Sequence, residues 1–167
     1  MDWLPLASAA LGGLIGSGST LMADRVRWRR EVTERTAERQ RAEQTQQRAT
    51  RHGVYVEYLT ALSRIRNGLR EMAHDDVASP DERLVRLQQV FLDSGAYELR
   101  SQIQLVAPEL VAEQAEAAYK SLRRLRMAIE DGASFQDIVY LERRDHYHGE
   151  LATLKQALRR DLGIDAL

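Results

Sequence analysis

Apolar and polar positions divide the chain into three stretches of different character. From Trp3 to Ala23, WLPLASAALGGLIGSGSTLMA, 21 residues run without a charge. A helix of that length is roughly 30 Å long, which matches the core of a bilayer. From Asp24 to His52 the pattern inverts: Val26, Trp28 and Val32 are followed by no apolar residue but Ala, and Pro and Gly are absent. No a/d heptad continues across this stretch, so a strong autonomous coiled coil is not encoded. It predicts an exposed helical stalk, about 44 Å long if continuous. From Gly53 onward, apolar residues return at three- and four-residue steps, the signature of core-facing helices.

Within that third stretch the periodicity predicts four helices. Tyr55, Tyr58, Leu59, Leu62, Ile65, Leu69 and Met72 mark the first, with Gly53 as a bend before it. Ser79-Pro80-Asp81-Glu82 is a start signal: a Ser N-cap, Pro in the first turn and Glu at the capping-box position. Leu84, Leu87, Val90 and Phe91 follow, and Gly95 marks a kink or split before Tyr97, Leu99, Ile103 and Val106. Pro108 fits the first turn of a third helix carrying Leu110, Val111, Ala115, Ala118, Tyr119, Leu122, Leu125 and Ile129. A fourth helix is capped from Ser134 and runs through Val139, Tyr140, Tyr147, Leu151, Leu154 and Leu158, with Gly163 as C-cap. Short connections make successive helices antiparallel neighbours. The expected architecture is therefore all-α: a transmembrane anchor (1–23), a charged helical stalk (24–52) and an antiparallel four-helix bundle (53–167).

Charge orients the first segment. Asp2 precedes it, whereas Arg25, Arg27, Arg29 and Arg30 follow it with Trp28 among them. Arg clusters stay cytoplasmic and Trp favours the interface, which places the N-terminus outside and the bundle in the cytoplasm. The same five residues are candidates for contact with the lipid interface, the arginines with anionic headgroups. A cleaved signal peptide needs a positive n-region, and here that region is acidic. A soluble helix packing small residues against protein is the competing reading, because four Gly, three Ser and Thr20 dilute the hydrophobicity. Those small residues are ordered: Ser8, Gly12, Gly16 and Thr20 recur every fourth position, with Ala9, Gly13 and Ser17 in the adjacent row. Such stripes let helix backbones approach closely in lipid and predict self-association of the anchor.

Composition adds bounds. At 167 residues there is room for one compact domain with an appendage. The net charge of −1 excludes a globally basic nucleic-acid binder. The stalk's nine Arg against five acids are interleaved with Glu and do not point to nucleic acid either. There is no cysteine, which excludes disulfides and thiolate chemistry.

Candidate chemistry rests on histidines. Glu71-Met-Ala-His74 and Asp145-His-Tyr-His148 have the carboxylate-x-x-His spacing used in di-metal helical bundles. One motif carries Asp for Glu, and the two fall at different heights of antiparallel helices. Glu142, His146 and Glu150 share one helical face at four-residue steps and offer a surface cation site. No nucleophile triad, cofactor site or small-molecule site can be nominated.

The segments ALGGLIGSGSTLMADRVRWRRE, YVEYLTAL, APELVAEQAEAAY and RRDLGIDAL resemble a group of actinobacterial, Streptomyces-like single-pass membrane proteins. That group has a Gly-rich N-terminal anchor, an Arg/Glu stalk and a helical bundle. The resemblance implies the same architecture and brings no activity, cofactor or site residues. The expectation is a non-catalytic, membrane-tethered interaction or scaffold module, partnered by the membrane and by its own copies or another membrane protein. A metal-dependent bundle enzyme using Glu71, His74, Asp145 and His148 is the alternative, and a holin-like membrane oligomer a third.

Overall fold

The computed structural model describes the backbone of residues 4–75 and 79–164, and the side chains of residues 35–75 and 79–164. The described residues form five helices and no strand: α1 (Leu4–His74), α2 (Pro80–Asp93), α3 (Ala96–Val106), α4 (Glu109–Glu130) and α5 (Ile138–Asp161). The fold is all-α. Two compact units divide it, residues 1–47 and residues 48–167. Among the described residues no helix is long and apolar enough to cross a membrane. The side chains of Trp3 to Ala23 lie outside the described residues, as do those of Arg25, Arg27, Trp28, Arg29 and Arg30.

In the first unit the described side chains, from Arg35 onward, are almost all exposed. A helix polar on every side gives nothing for a core to gather, and its Glu and Arg stay hydrated.

The second unit is a helical bundle with one continuous core. Tyr55, Tyr58, Leu62, Ile65, Leu69 and Met72 line the buried face of α1. Their steps of three and four keep the side chains on one stripe of a 3.6-residue helix. Gly53 does not break the helix: α1 runs through it without interruption. One glycine in a helix costs about 1 kcal/mol relative to Ala. Full burial of a single leucine from the stripe that begins two residues later returns about 1.5–3 kcal/mol, so the helix persists.

The expected start at Ser79 is present, with Pro80 opening α2 and the Glu82 amide donating to Ser79 Oγ at 3.3 Å. The second rod splits at Gly95, whose φ of 68° is left-handed and suits glycine. Ser94 holds the break together. Its hydroxyl donates to the Phe91 carbonyl at 2.7 Å and accepts from the Ala96 amide at 3.1 Å. Pro108 stands as the N-cap of α4 rather than inside its first turn. The cap of α5 also shifts. Asp137 is its N-cap and accepts from the Ser134 amide at 2.6 Å, so the helix begins at Ile138. Asp137 Oδ2 reaches back to close the turn, and Ser134 supplies the amide rather than the cap.

Among α2 to α5, only α4 packs against all the others, most extensively against α5. It contributes Val111, Ala115, Ala118, Tyr119, Leu122, Leu125 and Ile129 to the core. Side chains tie α1 to the rest. Gly68 lies so close to α2 that a Cβ there would meet the Val90 methyls at 2.7 and 2.8 Å. The Tyr58 hydroxyl donates to the Ala115 carbonyl at 2.8 Å. At one end of the bundle Asp161 accepts from the Tyr55 hydroxyl at 2.7 Å and from Arg51 at 3.1 Å. At the other, the Phe135 amide donates to the Ala73 carbonyl at 3.0 Å.

Tyr147 is as buried as Tyr58, yet its hydroxyl has no hydrogen-bond partner. Burying an unpaired hydroxyl costs free energy, whereas a paired one contributes about 0.5–1.5 kcal/mol. The two Tyr→Phe variants should therefore differ in sign. Tyr58→Phe is expected to lower stability by about 1 kcal/mol, and Tyr147→Phe to leave it unchanged or raise it. Urea unfolding followed by circular dichroism reads both. Equal losses would mean that the Tyr147 hydroxyl does find a partner.

Candidate interaction surfaces

The structure does not gather the histidine motifs into a site. Glu71 and His74 lie exposed on the last turn of α1. The His74 ring stacks on Phe135 with centroids 3.9 Å apart, while the Arg70 guanidinium sits 5.9 Å from the other ring's centroid. His74 thus clamps the loop that enters α5. Asp145 and His148 are exposed on α5, and Asp145 pairs with Arg144 at 2.8 Å. Asp145 and His148 lie seven and ten residues beyond the start of α5 at Ile138, near the loop that His74 covers, hence about 10–15 Å along the axis from it. Asn67, Arg70, Glu71, His74 and Asp75 line a shallow open cleft at the end of α1.

On the face shared by Glu142, His146 and Glu150, His146 Nε2 is 3.8 Å from Glu150 and 3.5 Å from Arg124. A guanidinium beside the ring opposes a second cation there. Among the described residues, no group of three or more His, Asp or Glu side chains is placed to hold a metal ion. The carboxylates and imidazoles that share a chemistry on paper belong to separate surfaces.

What the surface does present is apolar area. On α2, Val85 and Leu92 are 61% and 73% exposed, and Leu84 stands beside them. Val85 and Leu92 are seven residues apart, which sets them on one side of the helix. This side is acidic. Asp81 and Asp93 meet no cationic side chain among the described residues, whereas Arg86 is held by Glu82 and, at 3.1 Å, by Asp75.

A second apolar area lies where the end of α4 meets the start of α5. Met127, Ala128 and Val139 form a groove rimmed by Arg124, Arg143 and Asp131, with Ile138 exposed next to it. Arg143 pairs with no carboxylate among the described residues, and Arg124 meets only His146. This groove is apolar in its floor, and its rim carries two arginines against one aspartate.

Sequence periodicity assigned several of these residues to the core. Leu84, Tyr97, Leu110 and Val139 keep helical spacing with their buried neighbours but stand exposed. The signal that separates them is doubling: Leu84-Val85, Leu110-Val111 and Ile138-Val139-Tyr140 are adjacent apolar residues. Neighbours on a helix point about 100° apart, so a narrow core stripe cannot take both. Tyr97 stays outside because its ring, with that of Tyr119, flanks the Arg100 guanidinium at 5.1 and 5.2 Å.

No protein-family model, curated protein or solved structure matches the chain.

Proposed function

We propose that this protein is a non-catalytic, membrane-tethered interaction module. The 1–23 segment would insert as a single-pass anchor with the N-terminus outside. The stalk would carry the bundle on the cytoplasmic side. In this reading α1 beyond Gly53, the split α2–α3 rod, α4 and α5 act as the four antiparallel members of a four-helix bundle. The observation that carries the reading is the pair of exposed apolar surfaces on α2 and in the α4–α5 groove, each edged with charge of one prevailing sign. Exposed apolar side chains grouped on one surface and edged by polar groups are characteristic of protein contact sites. The charge asymmetry around Trp3 to Ala23 and its small-residue rows support insertion and self-association of the anchor.

The anchor is tested in native membranes. The full chain should sediment with the membrane fraction and resist extraction by high salt or alkali. Cysteines introduced beside Gly12 and Gly16 should crosslink copies, and Gly12→Leu or Gly16→Leu should reduce the yield severalfold. Recovery in the supernatant would overturn the tether. A monomeric, substitution-insensitive anchor would overturn self-association.

A further inference from the structure

The two apolar surfaces of the bundle are complementary in charge. The α2 face joins Val85 and Leu92 to Asp81 and Asp93, and the α4–α5 groove joins Met127 and Val139 to Arg124 and Arg143, with Asp131 the one carboxylate lining it. We propose that the α2 face of one copy docks into the α4–α5 groove of a second copy. This inference rests on the interaction-module reading and not on the anchor.

Charge selects this pairing over the symmetric ones. Groove against groove would bring four arginines together against only two copies of Asp131. Face against face would do the same with Asp81 and Asp93. Juxtaposed like charges at a desolvated contact cost several kcal/mol, whereas opposite potentials steer association and fix register. Arg86, the exposed cation of α2, is already held by Glu82 and Asp75 and leaves the acidic character of the face intact. Shape agrees. A single helix presenting Val85 and Leu92 spans about 10 Å between them, close to the length of α4 from Arg124 to its C-cap Asp131 that borders the groove. A helix ridge laid in a groove between two helices is ordinary helix packing.

The contact is heterologous, because each copy offers a different surface. The pair then keeps one groove and one face unoccupied, one on each copy, and addition continues until a ring closes or a linear array forms.

The chain has no cysteine, so introduced pairs report cleanly. Full-length Val85→Cys and Val139→Cys chains are mixed in liposomes and oxidised. Disulfide-linked dimers should form in the mixture and be at least tenfold scarcer with either variant alone. Arg143→Glu in the groove copy should lower the mixed yield about tenfold, and Asp81→Arg in the other copy should recover it. All four positions are exposed on helices, and unchanged thermal melts would confirm folding. Equal yields in mixed and single-variant samples would overturn the proposal. So would charge reversal without effect, or loss of liposome binding on Arg143→Glu, which would assign the groove to anionic lipid instead. The same crosslinks in chains carrying Gly16→Leu separate the two ideas. Their persistence leaves the bundle contact standing if the anchor reading fails, and their disappearance assigns association to the anchor and overturns the bundle contact.

Discussion

Leu122→Ala is expected to lower the unfolding free energy by about 2–5 kcal/mol, the range for deleting a fully buried leucine where the surroundings cannot collapse. Leu122 has no exposed surface and sits at the middle of α4, the helix that packs against α2, α3 and α5 and accepts the Tyr58 hydrogen bond from α1. Helices on several sides hold their positions through other contacts, so the space left by three carbons and their hydrogens stays largely empty. In thermal unfolding followed by circular dichroism this corresponds to a drop of roughly ten degrees or more for a bundle of this size. Leu92→Ala is the matched control. Leu92 is 73% exposed, and its loss should stay within about 0.5 kcal/mol. Similar losses for the two leucines would mean that α4 is not the centre of the packing.

Alkaline pH should collapse the bundle, not titrate it gently. Burial pushes the Tyr147 hydroxyl up to about 12 from 10.0. Burial also raises Tyr55 and Tyr58, for Tyr55 with added help from its hydrogen bond to Asp161, and it raises Tyr140 against the opposing pull of Arg144, Arg70 and Arg66. A raised folded value means that the folded state keeps its protons where the unfolded chain has lost them. Stability is then complete below pH 10 and falls as pH climbs through 10 towards 12, because each deprotonation favours the unfolded chain. Tyrosinate absorbance from these residues should therefore rise together with the loss of helical signal, in one steep transition. In a Tyr97→Phe background, which removes the exposed tyrosine, a shallow absorbance rise near pH 10 that precedes unfolding would show the hydroxyls to be open to solvent. Tyr147→Phe should shift the midpoint upward in pH, since one titrating group is removed.

The core was legible where apolar residues recurred at helical spacing. The stripe from Tyr55 to Met72 and the series from Val111 to Ile129 are buried largely as their periodicity required, and where two large apolar residues adjoin, as at Tyr55-Val56 and Leu110-Val111, one is buried and its neighbour stays exposed. Ser79 and Glu82 announced α2 because capping chemistry is local, a bond between residues three apart. Gly53 and Ser134 misled for the opposite reason. Whether a glycine breaks a helix depends on what the next turns bury, and whether Ser134 or Asp137 caps α5 depends on how the loop meets Ala73 and His74 on α1. Those contacts join residues about sixty positions apart and leave no local mark. The histidine motifs illustrate the same limit. Spacing along a helix places Glu71 near His74 and Asp145 near His148, but only the height of one helix against another decides whether the pairs meet. The groove of Met127 and Val139 was invisible for a related reason, since its walls come from two helices and Val139 was counted as core.

The tie of Tyr55 and Arg51 to Asp161 has a consequence for synthesis. Its partners are 106 and 110 residues apart, and the later one closes the last described α-helix. At ribosomal rates of about 5–20 residues per second, Tyr55 waits roughly 5–20 s for Asp161 to be made. Throughout that interval Arg51 and Tyr55 lack the carboxylate that holds them. Packing of α1 on α2 and α4, through Val90 and Ala115, can thus precede the tie to Asp161, which closes this end of the bundle last.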